Sequence, residues 1–263
     1  MVHRHLSART RHVALLVVAL LLHASAAAAD DVVVMTSGAF TAAYQDLAPR
    51  FERSTGHTLI TATTTMGTGA EAIPARLARG EPADVVIVAA DSLEQLIASG
   101  FVLRGSRVDL ARSSIAMAVR AGARKPDIAS VEALKRTLLD ARSVAYSASV
   151  SGEYLVRELF PTLGIAAAMT PKSRRIERER VGEVVARGEA EIGFQQLSEL
   201  LPIQGIDIVG VLPPGAQRVT VFAAGIAANA RHPGAARALI EFLASRDASA
   251  AIAKSGMEPA RVR

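Results

Sequence analysis

The sequence of 263 residues contains no cysteine and no tryptophan, and it has only three tyrosines and seven phenylalanines. The absence of cysteine excludes disulfides, thiolate metal sites, a cysteine nucleophile and a cysteine that could carry a lipid anchor. A nucleic-acid-binding surface usually combines a basic face with stacking aromatics. With so few aromatic residues, we expect no nucleic-acid partner.

Histidine is also scarce once the first 29 residues are set aside. Only His57 and His232 remain, they lie far apart in the sequence, and no His-Glu-x-x-His spacing occurs. A metal centre needs several such side chains at compatible spacing. We therefore expect neither a metal nor a cofactor.

The first 29 residues have the pattern of a secretory signal peptide. Three arginines without any acidic residue precede the apolar run from Val13 to Leu22, and alanines lead up to Asp30. The run is shorter than the roughly 20 apolar residues that span a bilayer. We expect residues 1–29 to be removed, leaving a soluble, monomeric periplasmic protein. Its 27 basic and 25 acidic residues give a net charge of +2.

Beyond the leader, short apolar runs alternate with segments of helical periodicity. The first run is Val32 to Met35, and the pattern restarts at Ile115. Such alternation predicts an α/β fold in which helices flank mostly parallel sheets. The restart predicts a second lobe.

Three loops between a predicted strand and a predicted helix are rich in hydroxyls and glycine, namely Ser37–Gly38, 64–69 and 147–152. Ligands of parallel α/β sheets bind at the carboxyl ends of the strands, where the following helices present free N–H groups that attract anions. Serine and threonine can also be simple helix caps. Only the three loops together favour an anion site.

Two further segments could supply ligand contacts. The run from Lys172 to Arg180 is either a solvated edge or the source of one arginine that clamps a carboxylate, and we select Arg178. Gln195 and Gln196 close a predicted strand, so their side chains point in opposite directions. We expect Gln196 to face the ligand.

Residues 77–87, 188–194 and 232–257 resemble periplasmic molybdate-binding proteins of ABC importers, and the stretch Gly80-Glu81-Pro82-Ala83-Asp84 is the most specific part of this likeness. The resemblance implies a two-lobed periplasmic-binding-protein fold of type II with two crossover strands as its hinge. It further implies one lobe of residues 30–113 with 220–263 and another of residues 114–219. An ABC permease would be the partner.

At the contact positions the chain departs from that family. The resemblance puts Ala39 in place of a serine, Gln196 in place of a tyrosine and Arg178 at a further contact, and the second loop is longer around residues 66–68. The ligand-binding residues predicted from the loops and the resemblance together are Ser37, Gly38, Ala39, Thr65, Met66, Gly67, Thr68, Ser149, Ser151, Arg178 and Gln196.

A longer loop, an added arginine and a lost tyrosine suggest a guest other than molybdate. We expect a small anion, possible guests being molybdate, tungstate or an organic di- or tricarboxylate, with the carboxylate favoured, and we expect a binding protein that is not an enzyme. Two alternatives stay open. An exported serine hydrolase would need a nucleophile elbow, and no Gly-x-Ser-x-Gly sequence is present. A receptor for a membrane sensor would use the same fold.

Overall fold

The computed structural model describes residues 29–62, 64 and 69–260, and their strands form two separate sheets. The first sheet has the strand order β11-β4-β10-β3-β1-β2. Its strands are β1 (Asp31–Thr36), β2 (Thr58–Ala62), β3 (Val85–Ala89), β4 (Val108–Ser113), β10 (Thr220–Ile226) and β11 (Glu258–Pro259). The second sheet has the order β7-β6-β8-β5-β9. Its strands are β5 (Ile115–Arg120), β6 (Val144–Ser147), β7 (Ser173–Ile176), β8 (Ile192–Gln196) and β9 (Ile206–Val211).

Helices follow most of these strands. They are α1 (Gly38–Thr55), α2 (Ile73–Ala78), α3 (Ala90–Ala98), α4 (Val131–Asp140), α5 (Val150–Tyr154), α6 (Phe160–Thr162), α7 (Ala166–Met169), α8 (Val181–Ala186), α9 (Leu197–Leu200), α10 (Pro233–Leu243) and α11 (Ser249–Lys254). A π-helical turn, Leu155–Leu159, joins α5 to α6. Within the described residues, no helix has both the length and the apolar composition needed to cross a membrane.

The α/β fold class is confirmed, and the sheets are more mixed than expected. Strand β1 pairs in parallel with β2 and β3, and β6 pairs in parallel with β7 and β8. In contrast, β10 is antiparallel to β3 and β4, and β5 is antiparallel to β8 and β9. Strands β5 and β10 are the ones with which the chain enters a new sheet, so their reversed direction follows from the crossover.

The chain passes between the sheets at two neighbouring points. Strand β4 ends at Ser113 and β5 begins at Ile115, while β9 ends at Val211 and β10 begins at Thr220. Thr220 lies opposite Ser113 in the first sheet. We therefore propose the lobe boundaries given above, and we call each sheet with its helices the first and the second lobe.

Each lobe has its own apolar core. In the first, the buried face of α1 (Phe40, Tyr44, Leu47 and Phe51) packs with α10 against the sheet. The second core includes Leu134 and Leu138 of α4 and the inward residues of β5. Burial of a Leu or Phe side chain contributes about 1.5–3 kcal/mol each, so these clusters dominate the stability of both lobes.

Asp84 holds the start of β3 to two other elements. Its buried carboxylate accepts hydrogen bonds from the backbone N–H groups of Val33, Arg231 and His232 at 2.7–2.8 Å. These contacts connect β1 and the beginning of α10 to β3. The acidic residue of the Gly-x-Pro-Ala-Asp stretch is thus a structural residue of the first lobe.

We expect Gly193→Ala to destabilise the second lobe. A Cβ at Gly193 of β8 would lie 2.5 Å from Cγ2 of Val185 and 2.7 Å from Cγ1 of Val181, because α8 packs directly on this strand. Overpacking of this kind costs about 1–3 kcal/mol, measured as the free energy of unfolding in urea. The matched control is Gly234→Ala in α10, where a Cβ meets nothing within 4 Å. Equal stability of the two variants would contradict the close packing of α8 on β8.

Candidate functional site

The carboxyl ends of the parallel strands of the two lobes face each other across the crossover. Val150, the first residue of α5 in the second lobe, packs against the apolar core of the first lobe. Helix α9 of the second lobe packs on α1 of the first. The starts of α1, α5, α8 and α9 therefore surround the junction between the lobes, where helix N-termini favour an anion.

In the first lobe, Ser37 lies at the cap of α1. Its backbone N–H donates to the carbonyl of Ile87 at 2.8 Å, while its side chain makes no capping bond. The Oγ of Ser37 is buried and has no hydrogen-bond partner among the described residues. Gly38 and the buried Ala39 open the helix, and its first turn carries no acidic residue. The Oγ of Ser37 is therefore available to a ligand at this helix start.

Of the second predicted loop, residues 64–69, the structure describes Thr64 and Gly69. Thr64 Oγ1 donates to the carbonyl of Thr36 at 2.7 Å, which holds this loop next to the end of β1. The predicted contacts Thr65, Met66, Gly67 and Thr68 lie outside the described residues.

In the second lobe, three serine hydroxyls meet at the start of α5. Oγ of Ser147 lies 2.7 Å from that of Ser149 and 3.0 Å from that of Ser151, and the last two are 3.3 Å apart. Gly152 makes this turn possible, because a Cβ there would lie 1.8 Å from the carbonyl oxygen of Ser147. The structure thus brings Ser149 and Ser151, two of the predicted ligand-binding residues, close together. Ser147, which we did not select from the sequence, lies beside them.

The two glutamines at the end of β8 are both buried and have different partners. Gln195 Oε1 accepts from the backbone N–H of Val181 at 2.9 Å and so caps α8. Gln196 Nε2 donates to Oγ1 of Thr220 at 2.9 Å, across the crossover, and its Oε1 has no partner among the described residues. Gln195 is therefore the structural amide, and Gln196 keeps one acceptor free at the junction.

Glu199 of α9 lies between the lobes. Only 3% of the residue is exposed, and a Cβ at Gly38 would lie 2.3 Å from its Oε1. Burial raises the pKa of the Glu199 carboxyl to about 7, although the Gln195 side chain and the charge of Arg180 oppose that shift. A carboxyl with such a pKa exchanges protons near neutral pH.

The arginine-rich run, residues 172–180, contains both surface ion pairs and an arginine that acts on the junction. Arg174 pairs with Glu189 at 3.3 Å and Arg175 with Glu153 at 3.5 Å, as expected for a solvated edge. Arg178 is exposed, whereas Arg180 is half buried at the cap of α8 and acts electrostatically on Glu199. Within the described part of the chain, no carboxylate forms a salt bridge with Arg180. Arg180, and not the exposed Arg178, is the arginine that acts on the Glu199 carboxyl.

Reasoning from the sequence missed Glu199 and Ser198, and within the segments that it singled out it did not select Ser147 or Arg180. Glu199 follows the two glutamines by three residues, but a glutamate in a short helix is usually exposed, as Glu183 is in α8. Its position just after the end of a strand, which the predicted loops share, was the feature that could have indicated a role at the site. Ser198 shows the same pattern, with a buried Oγ that lacks a partner among the residues described.

The two histidines lie away from this site. His57 Nδ1 accepts from the backbone N–H of Asp30 at 3.1 Å, and His232 Nδ1 lies 3.1 Å from the Asp30 carboxylate. Asp30 precedes β1, so both rings are at the amino end of a strand whose carboxyl end forms the site. This placement disfavours a serine hydrolase with a histidine base. The described residues also contain no group of three or more His, Cys, Asp or Glu side chains that could hold a metal.

Comparison with known proteins corrects one prediction. Over 227 residues the chain is 52% identical to a Pseudomonas protein named aconitate isomerase, covering 86% of this chain and 87% of the relative. Because that relative is named as an enzyme, our prediction that the chain is not an enzyme is wrong. The sequence did not reveal this, because the residues that bind an anion follow the same pattern whether or not the protein also transfers a proton.

The other similarities confirm the predicted resemblance. The chain is 29% identical over 171 residues to the molybdate-binding protein ModA of Azotobacter vinelandii, covering 64% of this chain and 65% of the relative. The solved structure of the Azotobacter vinelandii periplasmic molybdate-binding protein superposes with a TM-score of 0.69 at 22% identity, covering 88% of this chain and all of that one. That likeness shows the fold.

The family assignment rests on the longest match. Residues 32–258 match the family described as bacterial extracellular solute-binding protein, which is most of the chain. The chain therefore belongs to the bacterial extracellular solute-binding protein family.

Proposed function

We propose that this protein is an isomerase that binds a tricarboxylate such as aconitate between its lobes and moves the position or geometry of its double bond. The observation that carries the proposal is the 52% identity, over 86% of the chain, to the relative named aconitate isomerase. The departures from the molybdate-binding proteins at Ala39 and Gln196 and the arginine at the cap of α8 support a larger guest than an oxyanion.

The junction offers complementary groups to an organic polyanion. Three serine hydroxyls at α5 and the Ser37 cap of α1 can donate hydrogen bonds to carboxylates, and Arg180 adds a positive charge. Arginine pairs with a carboxylate through two parallel hydrogen bonds. Hydroxyls on both lobes would then hold different carboxylates of one ligand, with Gln196 and Ser198 at the base of the cleft.

Aconitate chemistry suggests a route that needs no cofactor. The molecule carries three carboxylates on a propene chain, so its methylene group lies next to both a carboxylate and the double bond. Removal of one methylene proton leaves an electron pair that is delocalised over the allyl unit, and return of a proton to the former vinyl carbon moves the double bond. Atoms and electrons balance. Rotation through a thiol adduct is excluded because the chain has no cysteine.

Binding from both lobes implies closure on the ligand. A ligand that touches both lobes only in the closed form shifts the hinge equilibrium toward that form. Closure would also remove water from the reacting carbons, which strengthens the electrostatic interactions in the site. The same motion serves capture and chemistry.

Capture of an anion for an importer is the second candidate function, and the shared fold with a molybdate-binding protein favours it. In that role the closed form would dock on an ABC permease. We propose a periplasmic location for either function, supported by the family and by the pattern of residues 1–29, although residues 1–28 lie outside the described residues.

We expect the purified protein to interconvert cis- and trans-aconitate in D2O, with solvent deuterium appearing at carbon in part of the product. Proton NMR follows both the isomer ratio and the loss of proton signal. Calorimetric titration with aconitate, citrate, molybdate and sulfate provides the comparison of ligands. Tight molybdate binding without turnover of aconitate would favour anion capture and overturn the isomerase proposal.

We expect Arg180→Met to weaken tricarboxylate binding more than Arg178→Met does. A hydrogen bond to a charged group contributes about 1.5–3 kcal/mol, so Kd should rise about 10- to 100-fold. Isothermal calorimetry measures the change. The control is Arg174→Met, which removes only a surface pair with Glu189. A larger loss for Arg178→Met would restore that arginine as the clamp.

A further inference from the structure

We propose that Glu199 is the catalytic base that removes the proton from the tricarboxylate and returns it at the other end of the allyl unit. This inference rests on the proposed isomerase function and assigns its proton transfer to one carboxyl. Glu199 stands out because it is buried where α9 of the second lobe packs against the start of α1 of the first lobe.

Glu199 lies close to the start of α1. Oε1 of Glu199 would lie 2.3 Å from a Cβ at residue 38, so the carboxyl contacts the backbone of Gly38 at the start of α1. Ser37 and Gly38 form the predicted anion loop of the first lobe. The carboxyl therefore lies next to the place where a bound carboxylate would be held.

Several buried polar atoms at the junction lack hydrogen-bond partners among the described residues. Gln196 and Ser198 are each 1% exposed and precede Glu199 in the same turn. Gln196 Oε1, Ser198 Oγ and Ser37 Oγ have no hydrogen-bond partner among the described residues. Buried polar atoms in native proteins are nearly always satisfied, so these three atoms favour a polar ligand at the junction. Glu199 directly follows Ser198, and its carboxyl contacts Gly38, the residue after Ser37.

The proton affinity of Glu199 also suits a base. A base that removes a proton from carbon works best when its pKa lies near the operating pH. Burial raises the pKa of Glu199 to about 7, which makes its ionised form a stronger base than an exposed carboxylate. Gln195 orients it through a side-chain hydrogen bond and is itself fixed by its bond to the N–H of Val181.

The surroundings contain few other charges that could titrate with it. Helix α9 packs against α1, α8, β5 and β8, and the turn at Gly256 packs on Leu197 and Leu201. Arg180 at the cap of α8 is the charge that acts on Glu199. The other titratable residues of these elements are Tyr44, Asp46, Arg50, Glu52 and Arg53 on α1, Arg120 at the far end of β5, Glu183 on α8, and Lys254 and Glu258 beside Gly256.

The deciding experiment compares wild type with Glu199→Gln. We expect the variant to lose about 10²- to 10⁴-fold in the rate of aconitate isomerisation and of deuterium incorporation, while calorimetry still detects aconitate binding. The matched control is Glu183→Gln, the same chemical change on the exposed face of α8, and it should retain the wild-type rate.

Different results would overturn the proposed isomerase function and the proposed role of Glu199. If wild type does not isomerise aconitate, the proposed function is overturned and the role of Glu199 with it. If wild type is active and folded Glu199→Gln retains its rate, the isomerase stands and another group is the base. A role confined to holding the lobes together would reduce binding and melting temperature without changing the pH profile.

The pH dependence of the wild-type rate tests the proposal without requiring that a Glu199 variant folds. The ionised carboxyl is the base, so the wild-type rate should rise with pH through a midpoint near pH 7 and level off at higher pH. Arg180 lowers the pKa of Glu199, so Arg180→Met should move the midpoint to higher pH. A rate that is constant from about pH 5.5 to 8.5 would exclude Glu199 as the base.

Thermal stability checks the burial itself. Because the pKa of Glu199 is higher in the folded than in the unfolded state, its contribution to stability is full below about pH 4. That contribution is lost as the pH rises toward about 7. We expect the melting temperature of Glu199→Gln, relative to wild type, to be higher near pH 8 than near pH 5. An equal difference at both values would show that Glu199 is not buried and would overturn the proposal.

Discussion

The contact between Glu199 and Gly38 is the constraint on which the site depends. Helix α9 belongs to the second lobe and α1 to the first, and a side chain at residue 38 would occupy the space of the carboxyl oxygen. The close approach excludes water from the carboxyl and thereby raises its pKa. It also brings the serine cap of α1 next to the end of β8. One packing contact thus sets both the geometry and the proton affinity of the junction.

A binding fold of this kind needs little change to perform proton transfer. Helix N-termini and hydroxyls already hold an anion in a site that closes, and a carbon acid needs only one base of suitable pKa at its methylene group. The hydroxyl cluster of Ser147, Ser149 and Ser151 and the charge of Arg180 would supply the binding, and Glu199 the chemistry. Such a division would let one fold serve both a relative named aconitate isomerase and a molybdate-binding protein.

The features that revealed the family are structural, and those that distinguish this member lie in its loops. Asp84 is part of the most specific stretch of the resemblance, yet its carboxylate is occupied by three backbone N–H groups of the first lobe. Gln217 has a similar role at the crossover, where its side chain bonds both the N–H and the carbonyl of Ile115. Such contacts maintain the framework whatever the ligand is, which is why family likeness did not reveal the enzymatic activity of a relative.

The sequence by itself determined the two-lobed α/β fold, because apolar runs and helical periodicity are local, and it located the loops of Ser37 and Ser149 because strand ends are local too. It also singled out Gln196. The tertiary structure alone decided that Glu199 is buried, that Arg180 acts on its carboxyl, and that β5 and β10 run antiparallel to their neighbours. Burial, charge proximity and strand direction depend on segments that are distant along the chain. No short window of sequence contains the two lobes that meet at Glu199.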